Sequence, residues 1–202
     1  MIKEACIENF TQALAAQQAG ADRVELCENL AVGGTTPSYG TIKACMEKLE
    51  IPPFVMIRPR GGDFTYSAEE LEIMQEDIDR CKELRVPAVV FGLLTADGEI
   101  DVANTRMLVE RARPMQVTFH KAFDELANPL AGIDTLVELG VDRLLTSGTK
   151  ATAKEGTKIL NQLIERANGK LTIVAAGKVT RDNLADLSQA IQTTEFHGKA
   201  IV

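Results

Sequence analysis

The stretch Phe54 to Ser67, FVMIRPRGGDFTYS, sets an apolar strand pattern directly against two arginines, two glycines and an aspartate. Val55, Met56 and Ile57 read as a strand covered on both faces. Pro59 stops its hydrogen-bond ladder, and Gly61-Gly62 lets backbone approach a neighbour closely. The pattern is that of a binding site at the C-terminal end of a buried strand.

Working outward, the same alternation of short β-rich and longer helical segments runs along the chain. The strand candidates are Ile2 to Ile7, Arg23 to Cys27, Phe54 to Arg58, Ala88 to Phe91, Gln116 to His120, Arg143 to Thr146, Leu171 to Ala175 and Glu195 to His197. Between them lie helical segments at Asn9 to Ala19, Ser67 to Leu84, Val102 to Ala112, Pro129 to Leu139, Ala153 to Ala167 and Arg181 to Ile191. The phrases AGADRVEL, ELGVDRLL and, more loosely, ELRVPAVV recur where helix turns back to strand, and they share one task. A glycine or similar turn ends the helix, an Asp or Pro starts the return, and an apolar strand enters the core. Eight strands joined by crossovers predict an α/β fold, a closed (β/α)8 TIM barrel, with an open doubly wound sheet as the alternative. No GxGxxG follows the first strand and no GxxxxGK[ST] occurs, which argues against the nucleotide-binding forms of that alternative. After the eighth strand only five residues remain, so the outer helix that normally covers it is expected to be missing, leaving that flank to a homo-oligomeric partner or open.

Nothing in the composition divides the 202 residues, and residues 1–202 read as a single domain. Hydrophobic residues are 45% and charged ones 25%, as expected for a globular protein with a sizeable core. No apolar run approaches the length of a membrane span, and MIKEACIENF lacks the apolar segment of a signal peptide, so a cytoplasmic protein is expected. A net charge of −7 with interspersed signs argues against nucleic acid and against an anionic membrane as partners. The four cysteines, Cys6, Cys27, Cys45 and Cys81, form no CxxC pair and are expected to be free thiols.

In a barrel, side chains of one parity near the strand ends converge on one mouth. That brings together Glu4 with Cys6, Glu25 with Cys27, Met56 with Arg58, and Thr118 with His120. Glu25 lies inside an apolar strand and needs a partner, for which Arg58 on the next strand is the candidate. The pair would be either structural or part of a site. His120, at a strand end and followed by Lys121 and Asp124, is a candidate general acid or base, with Glu25 or Asp124 orienting it. Arg58, Arg60 and Lys121, with Gly61, Gly62 and Asp63, form a candidate pocket for a phosphate or carboxylate. Ser147 and Gly148 add small residues after strand six. Cys6 and Cys27 end neighbouring strands, and two thiolates suit Cu(I). Packing is the simpler role for Cys45 and Cys81, and no tetrahedral Cys/His set is spaced for zinc. No organic cofactor is indicated.

Together, GADRVELC (Gly20 to Cys27), GGTTPSYG (Gly33 to Gly40), VMIRPRGGDFTYS (Val55 to Ser67), VFGLLTADGEID (Val90 to Asp101), VTFHKAFD (Val117 to Asp124) and LTSG (Leu145 to Gly148) resemble the CutC copper-homeostasis family. The resemblance implies a (β/α)8 barrel, a cytoplasmic protein, and a role in copper homeostasis with Cu(I) at Cys6 and Cys27. The chain departs from the family pattern at Lys178, where glycine is usual, at Lys121, where arginine is usual, and in the segment beyond strand eight. Arginines and hard carboxylates do not serve Cu(I), so Arg58, Arg60, Asp63, His120 and Asp124 also point to an enzyme acting on a small anionic metabolite.

Overall fold

The computed structural model describes residues 1–202. Eight strands alternate with seven α-helices. The strands are β1 (Ile2–Ile7), β2 (Arg23–Leu26), β3 (Pro53–Met56), β4 (Ala88–Phe91), β5 (Gln116–Phe119), β6 (Arg143–Thr146), β7 (Thr172–Ala175) and β8 (Glu195–Gly198). The helices are α1 (Phe10–Gln18), α2 (Tyr39–Lys48), α3 (Ala68–Glu83), α4 (Val102–Ala112), α5 (Pro129–Glu138), α6 (Ala153–Ala167) and α7 (Leu184–Ala190). All neighbouring strands pair in parallel, and β8 closes onto β1 with Glu4 opposite His197. The fold is the TIM barrel expected from the alternating pattern.

Local chemistry explains why the elements begin and end where they do. Asn9, Ser38, Asp101, Asn128 and Thr152 each accept a backbone N–H of the helix they precede, and Ser67 forms a reciprocal capping box with Glu70. The recurrent helix-to-strand phrases do the shared work expected of them. Gly20 and Gly140 end helices at positive φ, and Arg85 takes the same left-handed conformation (φ 58°) in the phrase that lacks a glycine. The aspartates that follow the two glycines are equivalent. Asp22 accepts from the N–H of Lys3 on β1 at 2.7 Å, and Asp142 from that of Val117 on β5 at 2.8 Å, each tying a returning strand to its predecessor.

The side chains of each strand divide between two compartments. Ala5, Ile7, Val24, Leu26, Val55, Ile57, Phe91, Phe119 and Phe196 point outward and join the helices in one core of 47 buried residues. The opposite parity fills a smaller lumen, where Cys6, Cys27, Phe54, Met56, Ala88 and Val90 pack together beside Leu145, Val174 and Ala176. Most of the stabilising burial lies between barrel and helices, so the lumen can carry polar groups.

Residues 199–202 after β8 are not helical, yet they and the preceding strand leave its outer face covered. Phe196 is fully buried, Ile201 folds back into the core, and Ala200 bridges to Thr180. Gly198 is required there, since a Cβ would lie 2.1 Å from the Val179 carbonyl oxygen. No helix is long and apolar enough to cross a membrane.

Candidate functional site at the barrel mouth

At the base of the lumen, Arg23 of β2 binds the carboxylates of Glu4 on β1 and Glu195 on β8, and Arg143 of β6 binds Glu195 at 3.2 Å. The ring of Phe54 lies 4.7 Å from the Arg23 guanidinium and 5.1 Å from that of Arg143. The second Glu4 oxygen holds Nδ1 of His197 at 2.7 Å, so Glu4 is the link from this buried salt network up to the mouth. Burial raises the Glu4 carboxyl, but the His197 hydrogen bond and the Arg23 charge outweigh it and bring its pKa down to about 2.

Above it, three donor atoms surround one oxygen of Glu25. Cys6 Sγ is 3.3 Å, Cys27 Sγ 3.5 Å and His197 Nε2 3.7 Å from Glu25 Oε2. The other carboxyl oxygen has no hydrogen-bond partner. Burial, above all, pushes Glu25 up to about 8, so it is a neutral acid at neutral pH. Cys6 moves the other way, down to about 5, chiefly through the neighbouring Cys27 thiol, with His197 adding to this against the cost of burial. Cys27, beside Cys6 and Glu25 and fully buried, is held well above the usual thiol range. The His197 imidazole is raised well above its usual value. Burial alone would lower it, but Glu25, Cys6 and Glu4 together prevail. The cluster thus sets opposed shifts side by side, Cys6 lowered and Glu25 and Cys27 raised, around an imidazole that Glu4 orients.

This geometry corrects the expected pairing of Glu25 with Arg58. The Arg58 guanidinium turns instead to loop carbonyls, donating to Val32 at 3.0 Å, Gly34 at 3.1 Å and Gly62 at 2.6 Å, with Phe64 stacked 4.7 Å away. Only its Nε lacks a partner. Arg58 thus pins the loops after β2 and β3, and the Gly62 carbonyl, not its N–H, faces the guanidinium. Arg60 and Asp63 lie outside the lumen. Arg60 pairs with Glu70 of α3 at 2.5 Å and with Asp63 at 3.1 Å, and also donates to the Gly61 carbonyl. The two arginines therefore do not converge on one anion.

His120 does reach the lumen, its ring 4.9 Å from that of Phe64 and tilted 56° to it. Its Nδ1 accepts the Ala122 N–H, which fixes the ring proton on Nε2, and Nε2 has no partner. Burial and then the charge of Arg58 push its pKa down to about 3, so it stands as a neutral hydrogen-bond donor. Asp124 does not orient it. That carboxylate accepts from Thr146 Oγ1, from the N–H groups of Ser147 and Thr149, and from Lys121 at 2.5 Å. Asp124 thereby fixes the loop after β6, including Ser147 and Gly148, to the turn after β5.

A cavity of about 290 Å³ opens over the cluster, lined among others by Cys6, Glu25, Arg58, His120, Lys121, His197 and Lys199. Two of its ionisable members, His197 and Lys199, are not among the candidates the sequence yields. His197 was read only as the end of a strand, and its partner Glu4 lies 193 residues away. Lys199 follows it in an otherwise featureless tail. The parity argument that grouped Glu4 with Cys6 held the signal for His197, since β8 must lie against β1 in a closed barrel.

A profile of the CutC family matches residues 1–202. The chain belongs to the CutC family. A family protein CutC of Chromobacterium violaceum is 47% identical over 199 residues, covering 98% of this chain and 81% of that one. The human copper homeostasis protein cutC homolog is 44% identical, covering 98% of this chain and 73% of its own. The crystal structure of CutC from Streptococcus agalactiae superposes with a TM-score of 0.95 at 40% identity, covering all of both chains. An aldolase at 11% identity and TM-score 0.72, covering 99% of this chain and 90% of its own, shares the barrel alone.

Proposed function

We propose that this CutC protein serves copper homeostasis by holding a Cu(I) ion between Cys6 and Cys27. The observation that carries this reading is the convergence of two buried free sulfurs, within 4.8 Å of one another and of a Glu25 oxygen, on adjacent strand ends under an open cavity. Cu(I) favours thiolates and low coordination numbers. Cys6, lowered from the usual thiol range, would supply one thiolate, and loss of the Cys27 proton on binding would complete the pair, with the Glu25 carboxyl swinging aside. Free buried thiols of this kind persist in a reducing compartment, which makes the cytoplasm the expected location. The test is an anaerobic Cu(I) competition titration against a chromophoric chelator. Wild type should take up about one ion and Cys6→Ser/Cys27→Ser should lose it; uptake indifferent to the double substitution would exclude these sulfurs.

A second reading, an enzyme acting on a small anionic metabolite, is favoured by a different observation. Arg58, His120 and Glu25, which line the cavity, each keep a buried polar atom without a partner, and Glu25 and His120 are shifted in opposite directions, as in acid–base pairs. In thermal-shift measurements against a panel of phosphorylated and carboxylated metabolites, at least one should stabilise wild type and not His120→Asn. A panel without effect removes this reading.

A further inference from the structure

The cavity over the cluster continues past Cys6, Lys121, His197 and Lys199 into a second one of about 500 Å³, whose wall is formed by the loops after β7 and β8. Three features of that wall go together. First, the backbone N–H groups of Gly177, Lys178 and Val179, three in succession, make no hydrogen bond within the chain, whereas the preceding N–H of Ala176 is bound to Thr146. Second, Gly177 and Lys178 are both at positive φ, 100° and 55°, so this turn is not a continuation of the strand. A Cβ on Gly177 would lie 2.7 Å from that of Ser147, which keeps the position small. Third, Lys178 and Lys199 are exposed beside the same cavity and enter none of the ion pairs of the molecule, while Lys121 on its other side is committed to Asp124.

Successive unpaired N–H groups with two uncommitted ammonium groups match a tetrahedral dianion better than a planar monoanion. TIM barrels commonly place phosphate at the loops following strands seven and eight. In the adjoining lumen, Glu25, Arg58 and His120 are each at least 95% buried and each keeps one unpartnered polar atom, which suits a short polar body attached to the anion.

The geometry points to a phosphate-monoester site in which Gly177–Val179, Lys178 and Lys199 hold the phosphate and the organic part extends into the lumen toward His197 and Glu25. This rests on the reading of the lumen as the seat of a small anionic metabolite, and names both the class of anion and the loops that take it. Lys178 then substitutes a charged side chain for the glycine usual in the family at the place where the anion sits.

The experiment is a titration of the intact protein with inorganic phosphate and with glycerol 3-phosphate at constant ionic strength, followed by 31P line broadening and calorimetry. Wild type should bind both saturably, the ester more tightly. Lys178→Ala/Lys199→Ala should weaken both by at least about tenfold, while Lys158→Ala, which removes an exposed charge from α6, should change neither. Absence of saturable binding, or binding equal in wild type and the double variant, overturns the proposal. Glycerol 3-phosphate binding abolished by Arg58→Lys but unaltered in Lys178→Ala/Lys199→Ala would keep the lumen as a metabolite site and remove the phosphate from these loops.

Discussion

At the scale of single residues, the lumen is governed by which polar groups are paid for by partners and which are not. His120 is fully enclosed and neutral. Its pKa, about 3 in the folded chain, lies below the value of about 6.5 expected when unfolded. Between those values the unfolded chain binds the extra proton, so this contribution to stability is intact above about pH 6.5 and falls as the pH drops toward 3. Urea unfolding of wild type and His120→Asn should therefore diverge. From pH 6.5 to 4.5 the wild type should lose about 2 kcal/mol more than the variant. Parallel pH profiles would show that the imidazole is not buried neutral. Glu25 gives a complementary expectation. Because it is held as a neutral acid, Glu25→Gln should cost less than about 1 kcal/mol at pH 7, whereas Glu25→Ala should cost roughly 2 to 4 kcal/mol through a cavity and unpaired neighbours. Equal losses in the two variants, measured by chemical denaturation, would contradict that protonation state.

At the scale of elements, what positions the mouth is a set of ties between loops. Asp124 binds the β6 loop to the turn after β5 through Thr146, Ser147 and Thr149, and Arg58 binds the β2 and β3 loops through three carbonyls. Asp124→Asn keeps the shape but loses the charge-assisted bonds. It should destabilise the protein by about 2 to 3 kcal/mol and raise hydrogen exchange in Ser147–Lys150 ahead of the strands; exchange unchanged in that loop would rule out the tie. These elements were unevenly legible. The strands showed in apolar runs such as AVVF, and most helix starts in their caps. The helix Tyr39–Lys48 was not among the helices named from sequence, because Gly40, Thr41 and Ile42 weaken the helical signal behind its Ser38 cap. The Arg58 contacts were not legible at all. They go to backbone carbonyls, which leave no mark in the sequence, so a carboxylate on the next strand looked the better partner.

At the scale of the whole molecule, the closure of the barrel and the assembly of the site are one event. Glu4 on β1, Arg23 on β2 and Glu195 and His197 on β8 join the first two strands to the last, and the same Glu4 aims His197 at Glu25. Long-range pairing of this kind explains why Cys6 and Cys27, 21 positions apart with their strands adjacent in sequence, were foreseeable as neighbours and His197 was not. Arg23→Met leaves the buried carboxylates of Glu4 and Glu195 without their shared cation and should cost about 3 to 5 kcal/mol. Glu4→Gln, which leaves Arg23 paired with Glu195, should be milder. Denaturation midpoints that fall in the opposite order would show that the network does not close the barrel in this way.

The central claim is that Cys6 and Cys27 act as one soft-metal unit. Copper K-edge X-ray absorption of the anaerobically loaded wild-type protein tests it most directly. Two sulfur scatterers on Cu(I), lost in Cys6→Ser/Cys27→Ser, are the expected result. A shell of nitrogen and oxygen alone, or a spectrum the double substitution leaves unchanged, would contradict it.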